Sequence, residues 1–381
     1  MLHYRFDERD VAIHPFTRHT FVTPKGSTSG RWATSESSLD LPTVEAFMQF
    51  ARNPTHLSNV YYNITRRCNL SCPYCYSEAS RASVTLADND AVLNALVQLG
   101  TRCLTLIGGE PFSHPHLMEI VEACRLRGFR EVCVVTNGTM IHPRHIPTLA
   151  HPSISLQVSL DGASEEENAP TRGKGSFGRT MRGLDLLQRS GIPHRVMMTL
   201  TRETAARSIS FFDQFSDTGH TPGFFMVKKV PASEKPTLAQ LELLLDHILA
   251  RVGDVRAVFD VMKFADNMQF SHAGFPVAHC GAGINTMSVE PNGDVYPCVK
   301  MSSPSRRITS LLSEQGIDEV RRYQAGCVEH ELVFNKATCQ GCEIRNLCGG
   351  GCRAEENPPG SVCEENCAYF HFAVEYYARH I

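Results

Sequence analysis

The sequence lacks the features that would place it in a membrane or outside the cell. Its 381 residues contain no apolar run of about 18, the length that a transmembrane helix requires. Its first ten residues are polar and mixed in charge, so the apolar core of a signal peptide is missing. These absences predict a cytoplasmic protein, in which thiols stay reduced.

The chain also lacks a strong excess of charge of either sign. Its formal net charge is −3, which creates no broad basic field. We therefore expect neither nucleic acid nor a membrane as a partner. Hydrophobic residues make up 42% and charged residues 20%, and these ordinary values predict a folded globular protein rather than a disordered one.

Cysteine, by contrast, is abundant, with 15 residues in the chain. Disulfides do not account for this number in a reducing compartment. Metal or iron–sulfur binding is the explanation that the count favours.

The segment from about 58 to 230 alternates short apolar runs with helical patterns. Six such strand–helix units predict an α/β fold with a parallel sheet, in which functional residues gather at the strand ends. The predicted strands span 60–64, 104–107, 132–135, 154–160, 196–200 and 224–227.

A cysteine triad with C-x3-C-x2-C spacing, Cys68, Cys72 and Cys75, follows the first of these strands. Three thiolates can bind three irons of a [4Fe–4S] cube and leave the fourth iron open to a ligand. A zinc site would need a fourth ligand from elsewhere. A redox pair at Cys72 and Cys75 would leave Cys68 unexplained.

The triad, with Tyr74 just before its third cysteine, resembles the signature of the radical S-adenosylmethionine (SAM) superfamily. This resemblance implies a partial (β/α)6 TIM-like barrel with the cluster after strand one. It also implies that the open iron binds SAM and that one electron cleaves it. The resulting 5′-deoxyadenosyl radical would abstract a hydrogen atom from the substrate.

The ends of the next three strands carry further motifs in the order that the family shows. Gly108 and Gly109 would let backbone approach a ligand closely, and the Glu110 carboxylate suits an ammonium group. The resemblance implies that this position contacts the methionine amine, and that hydroxyl and carboxylate groups at later strand ends contact the ribose. The other implied cofactor-binding residues are Thr136, Asn137, Ser159, Asp161 and Arg172.

The C-terminal cysteines resemble the SPASM extension of this superfamily, which holds two auxiliary [4Fe–4S] clusters. The resemblance implies that auxiliary cluster I is bound by Cys280, Cys298, Cys352 and Cys363. It implies that auxiliary cluster II is bound by Cys339, Cys342, Cys348 and Cys367. An open iron in cluster I, Cys327 in place of Cys363, and a pair of zinc ribbons are the alternatives.

The composition divides the chain into four predicted domains. They are an N-terminal accessory module or cap (1–57), the barrel (58–230), a helical connector (231–275) and a cysteine-rich iron–sulfur domain (276–381). Cys103, Cys124 and Cys133 lie on apolar segments outside both motifs, and we expect them to be buried as small hydrophobes.

The resemblance implies an enzyme that uses three [4Fe–4S] clusters and SAM to modify a peptide. Its partners would be a precursor peptide or protein substrate and an electron donor such as flavodoxin or ferredoxin. We expect a thioether, C–C or C–O crosslink, because three clusters suit a net oxidation. The alternatives are a sulfatase-maturing oxidase that forms formylglycine, and a non-catalytic iron–sulfur or zinc protein.

Overall fold

The structure, a computed structural model, describes residues 2–13, 20–25, 57–77, 80–262, 281–331, 333–356 and 361–381. Cys280 lies outside these ranges, as does most of the predicted N-terminal module. None of the helices in the described ranges is long and apolar enough to cross a membrane.

A nine-stranded sheet with the order β12-β11-β10-β4-β5-β6-β7-β8-β9 organises the larger of two compact units, residues 54–244 and 282–324. Strands β4 to β9 run parallel in sequence order, which is the arrangement of a partial TIM-like barrel. They span Asn59–Thr65 (β4), Cys103–Gly108 (β5), Glu131–Thr136 (β6), Ile154–Ser159 (β7), His194–Leu200 (β8) and Pro222–Met226 (β9).

Helices connect the parallel strands, as crossover geometry requires. They span Leu86–Gln98 (α1), Leu117–Leu126 (α2), Ile146–Leu149 (α3), Glu165–Arg172 (α4), Ser176–Arg189 (α5) and Ser208–Asp217 (α6). The helices Leu238–Val252 (α7) and Val255–Val261 (α8) follow β9.

The two faces of the parallel strands differ in character, because successive side chains point to opposite sides. Tyr62 and Leu106 are fully buried on one face. The residues beside them, Tyr61 and Thr105, lie opposite each other on the other face and are only half-buried. The sheet therefore has one sealed apolar face and one polar, more accessible face, as expected of a barrel wall that encloses a site.

Three strands from the C-terminal third of the chain extend this sheet, a feature that the sequence analysis did not predict. Strand β10 (Thr286–Val289) pairs parallel with β4, and the short strands β11 (Asp294–Tyr296) and β12 (Thr309–Ser310) continue antiparallel. The predicted iron–sulfur domain 276–381 is thus divided, because its residues 282–324 belong to the sheet unit.

The second unit comprises residues 1–53, 245–281 and 325–381. It contains an antiparallel sheet of β1 (Leu2–Arg5), β2 (Arg9–Ile13) and β3 (Thr20–Pro24). Helix α9 (Gly316–Glu331) runs into this unit, which also holds the short helix α10 (Arg345–Cys348) and the C-terminal helix α11 (Glu364–His380). Tyr376 of α11 donates a 2.7 Å hydrogen bond to Asp246 of α7, which ties the two helices together.

The predicted burial of the three spare cysteines is correct for one of them. Cys124 is fully buried, whereas Cys103 and Cys133 are half-buried. Both half-buried thiols lie on the polar face of the sheet. Cys133 pairs with Thr105, which is on that face, and Cys103 lies two residues before Thr105 on the same strand. The sequence did not predict this exposure, because Cys103 and Cys133 lie in short apolar runs in which the alternation between the two faces of a strand is not visible.

Helix α9 offers a direct test of the fold. Gly326 lies exposed within it, and an added Cβ would have no neighbour within 4 Å. We expect Gly326→Ala to stabilise the protein by about 1 kcal/mol, because glycine is the costlier residue in a helix interior. Thermal unfolding would show a raised midpoint, and an unchanged or lowered midpoint would contradict the helical assignment.

Candidate functional site

The cysteine triad lies on an irregular loop that directly follows β4. Cys68, Cys72 and Cys75 are free thiols, and Cys68 accepts a hydrogen bond from the Leu70 backbone N–H at 3.4 Å. Burial raises the pKa of Cys72 to about 11, and the Arg172 cation opposes that rise. The other two thiols also act on the Cys72 pKa, so the three sulfurs share one small region. Three unpaired soft donors on one loop fit the ligand set of an iron–sulfur cluster.

The backbone at Gly108 and Gly109 packs closely against another segment of the chain, at Thr65 and Arg67. A Cβ on Gly109 would overlap the Arg67 carbonyl, and one on Gly108 would lie 2.5 Å from the Thr65 carbonyl oxygen. The backbone N–H of Gly109 donates to that Thr65 oxygen at 2.8 Å. The two glycines are therefore needed for the close packing of the cysteine loop, and their predicted role in cofactor binding stays a prediction.

Glu110 connects the ends of two strands through its buried carboxylate. One oxygen accepts hydrogen bonds from the Thr136 hydroxyl at 2.6 Å and the Phe112 N–H at 3.0 Å. The other accepts from the Asn137 N–H at 2.7 Å. Burial raises the pKa of Glu110 while these hydrogen bonds lower it. These three donors leave about one lone-pair position of the carboxylate without a donor. The predicted contact of Glu110 with the methionine amine stays a prediction.

Asn137, at the end of β6, holds the cysteine loop from another side. Its amide nitrogen donates to the Asn69 side-chain oxygen at 2.9 Å, and Asn69 in turn donates to the Thr139 hydroxyl at 2.8 Å. Asn69 lies directly after Cys68 and was not among the predicted site residues. The sequence feature that could have identified Asn69 is its position between the first two cysteines of the motif.

Asp161 and Arg172 form a buried ion pair after β7. The Arg172 Nε donates to Asp161 Oδ2 at 2.8 Å and its Nη2 donates to Oδ1 at 3.3 Å. The Tyr74 hydroxyl donates to Asp161 and accepts from Arg172 Nη2 at 2.9 Å. Arg172 is the last residue of helix α4. Ser159 ends β7 and is half-buried.

The ends of three neighbouring strands thus converge on one loop. Contacts from beyond β5 reach Arg67, contacts from beyond β6 reach Asn69, and contacts from beyond β7 reach Tyr74. The structure therefore brings the predicted motifs of residues 108–110, 136–137 and 161–172 together around the cysteine triad.

The second unit brings together the four cysteines predicted for auxiliary cluster II. Burial raises the pKa of Cys348 to about 12, and the charges of Cys367 and Cys339 add to the rise. Burial likewise raises the pKa of Cys367 to about 11, with further contributions from Cys339, Cys342 and Cys363. Electrostatic effects of this kind act over short distances, so these thiols are neighbours.

The four cysteines predicted for auxiliary cluster I are not brought together within one unit of the described structure. Cys280 lies outside the described residues, Cys298 belongs to the sheet unit, and Cys352 and Cys363 belong to the second unit. Cys363 lies beside the cluster II cysteines, since its charge acts on Cys367. Its assignment to cluster I stays a prediction.

The described cysteines do not surround a single metal ion. Throughout the part of the chain that the structure describes, no three His, Cys, Asp or Glu side chains converge on a single metal ion. The thiolates of a [4Fe–4S] cube bind different iron atoms, so they lie farther apart than the ligands of one zinc ion.

Comparison with known proteins places the cysteine loop in a recognised domain. Residues 62–209 match the radical SAM superfamily. The chain is 26% identical over 304 residues to the mycofactocin maturase MftC of Mycobacterium ulcerans, covering 77% of this chain and 82% of the relative. It is 25% identical over 319 residues to the subtilosin biosynthesis protein AlbA of Bacillus subtilis, covering 75% and 67%.

A third relative belongs to another biosynthetic class. The AdoMet-dependent heme synthase of Methanosarcina barkeri is 29% identical over 334 residues, covering 77% of this chain and 90% of the relative.

Solved structures share the fold. Native anSMEcpe with bound AdoMet and the Kp18Cys peptide aligns with a TM-score of 0.67 at 17% identity, covering 84% of this chain and 96% of that one. Streptococcus suis SuiB bound to the precursor peptide SuiA aligns with a TM-score of 0.66 at 16% identity, covering 84% and 78%.

The contact between Gly109 and the cysteine loop yields a test of the site. Gly109→Ala would push its new Cβ into the Arg67 carbonyl, next to the first cysteine. We expect a destabilisation of about 1–3 kcal/mol, as for other overpacked sites, and a loss of iron from the purified protein.

Gly178→Ala is the matched control, because a Cβ there would meet only Arg182 Nη1 at 3.9 Å. Iron analysis of this variant should match the wild type, and its unfolding midpoint should be equal or slightly raised, because Gly178 lies within helix α5. Equal behaviour of the two variants would contradict the close-approach role of Gly109.

Proposed function

We propose that this chain, whose residues 62–209 match the radical SAM superfamily, is a maturase that modifies a ribosomally made precursor peptide. The observation that carries this proposal is the length of the likeness to MftC, which covers 82% of that maturase and extends well beyond residues 62–209. The likeness to AlbA and the shared fold with a peptide-bound SuiB support it.

The residues of this chain divide into those that hold the cluster and those that shape its surroundings. Cys68, Cys72 and Cys75 would bind the radical SAM cluster, and the carboxylate of Glu110 would receive the amine of SAM. When bound, cluster and SAM would supply a one-electron cleavage and a radical that abstracts hydrogen. The polar, half-buried face of the parallel strands, with Tyr61 and Thr105, would then line the space for a substrate segment.

Two auxiliary clusters complete the proposal. The proximity of Cys339, Cys342, Cys348 and Cys367 supports a cluster II bound by these four. A crosslink removes two hydrogen atoms from the peptide: the radical would take one, and the second would leave as a proton, released to solvent, and an electron. Clusters held by these cysteines would supply an acceptor for that electron, and a flavodoxin or ferredoxin would supply the electron that starts the reaction.

Iron content tests the cluster assignment. We expect about twelve irons per chain after anaerobic reconstitution, four for each of three cubes. The triple variant Cys68→Ala/Cys72→Ala/Cys75→Ala should keep about eight irons and lose the formation of 5′-deoxyadenosine with dithionite. Cys124→Ala, at a buried cysteine outside both groups, is the control and should keep all of them. Abundant zinc without cleavage of SAM would contradict the assignment.

Mass spectrometry tests the substrate class. A peptide encoded by a short reading frame beside the gene should lose the mass of two hydrogen atoms when it is incubated with enzyme, SAM and reductant. Because oxidation of a serine to formylglycine removes the same mass, fragmentation should place the loss on two linked residues. An aldehyde that reacts with a carbonyl reagent would instead support the sulfatase-maturing alternative, against which the lack of a cysteine between Cys280 and Cys298 argues.

A heme-pathway enzyme is the second candidate, because the identity to the heme synthase, 29%, exceeds the 26% to MftC. The same assay with an iron porphyrin precursor in place of the peptide separates the two. Conversion of the porphyrin with an unaltered peptide would overturn the peptide proposal.

A further inference from the structure

The hydroxyl of Tyr74 joins the cysteine loop to a buried ion pair on the barrel. Tyr74 lies between Cys72 and Cys75 in the sequence. It donates to Asp161 and accepts from Arg172 Nη2 at 2.9 Å. The contacts of Gly109 and Asn137, by comparison, reach only Arg67 and Asn69 in the first half of the loop.

The Asp161 carboxylate is fully occupied by donors from the chain. Oδ1 accepts from Arg172 Nη2 at 3.3 Å and from the Thr199 N–H at 3.3 Å. Oδ2 accepts from Arg172 Nε at 2.8 Å and from the Tyr74 hydroxyl. A carboxylate has about four lone-pair positions, so these four donors leave none for a ribose hydroxyl.

The ion pair is also rigidly placed. Asp161 and Arg172 are 0% and 8% exposed. The Asp161 N–H donates to Asn168 of helix α4 at 2.9 Å, and the Thr199 contact fixes Asp161 to strand β8. Helix α4 and strand β8 therefore fix the Asp161 oxygen to which the Tyr74 hydroxyl donates and the Arg172 nitrogen from which it accepts.

We propose that Tyr74 is a positioning residue whose hydroxyl, locked onto the Asp161–Arg172 pair, sets where Cys72 and Cys75 present their sulfurs. Asp161 serves as a support for the cluster loop and not as a ligand of the nucleoside. Arg172 completes the same support and faces Cys72 with its positive charge. The inference rests on the proposed cluster assignment and adds the group that aligns two of its three ligands.

Tyr74→Phe tests the inference, because it removes one hydroxyl and keeps the ring. We expect the iron that is specific to the triad to pass to a chelator about tenfold faster or more, the scale seen when groups behind metal ligands are removed. The electron paramagnetic resonance signal that shifts when SAM is added should also change its g values or broaden. The auxiliary-cluster iron should stay at its wild-type value, and the midpoint of thermal unfolding should fall no further than the loss of one hydrogen bond to a charged group explains.

Tyr62→Phe is the matched control, because Tyr62 lies on the sealed face of β4 and its buried hydroxyl has no hydrogen-bond partner among the described residues. It should match the wild type in iron release and in the resonance signal. Wild-type iron release and an unchanged signal in Tyr74→Phe would overturn the proposal. Faster loss of all irons with a lowered unfolding midpoint would also overturn it, since that result indicates general destabilisation.

A double-mutant cycle tests the reassignment of Asp161. If Asp161 acts through Tyr74, Asp161→Asn/Tyr74→Phe should weaken SAM binding no more than Asp161→Asn does alone. Additive losses would show an independent contact with SAM and overturn this part. Should Asp161→Asn not fold, the Tyr74→Phe measurements still decide the main claim. These measurements need no peptide, so an unmodified peptide with normal cluster behaviour would count against the proposed function alone.

Discussion

The candidate site depends on one constraint, the placement of three sulfurs on a loop that has no regular structure of its own. A helix or strand fixes its side chains through its own backbone hydrogen bonds, and a loop of this kind cannot. The carboxyl ends of β5, β6 and β7 supply the missing constraints by separate contacts. Since neighbouring parallel strands end at the same edge of the sheet, this edge is the one place where so many contacts can meet the loop.

This constraint explains the chemistry of the strand ends better than ligand binding alone does. The two glycines are required because backbone packs directly on backbone at Thr65 and Arg67. The Glu110 carboxylate is buried because it joins the ends of β5 and β6, and it remains viable there because three donors compensate its desolvation. A motif that contacts a cofactor can therefore also be needed to hold the protein around that cofactor.

The sequence was sufficient for the parts of the fold that have strong local patterns. All six predicted parallel strands occur, because each is an apolar run bounded by glycine or polar residues. Strands β10 to β12 were missed because they have only two to four residues and no periodicity. The triad and its companion motifs were predicted from spacing, whereas the roles of Asn69 and Tyr74 depend on partners 68 to 98 residues away. Such long-range hydrogen bonds leave no pattern in a single sequence.

The two cysteine groups differ in local structure but share one energetic problem. Burial raises the pKa of Cys72 to about 11 and that of Cys348 to about 12, so both thiols are protonated near neutral pH when no metal is bound. Metal ligation requires the thiolate, so cluster loading must release protons as well as order the ligands. Contacts from the strand ends hold the loop around Cys72 in place. Cys348 is held by helix α10, of which it is the last residue, and by the glycines that follow it. A framework that already holds the sulfurs close reduces the entropic cost of ordering them, and more of the cluster's binding energy then remains to offset deprotonation.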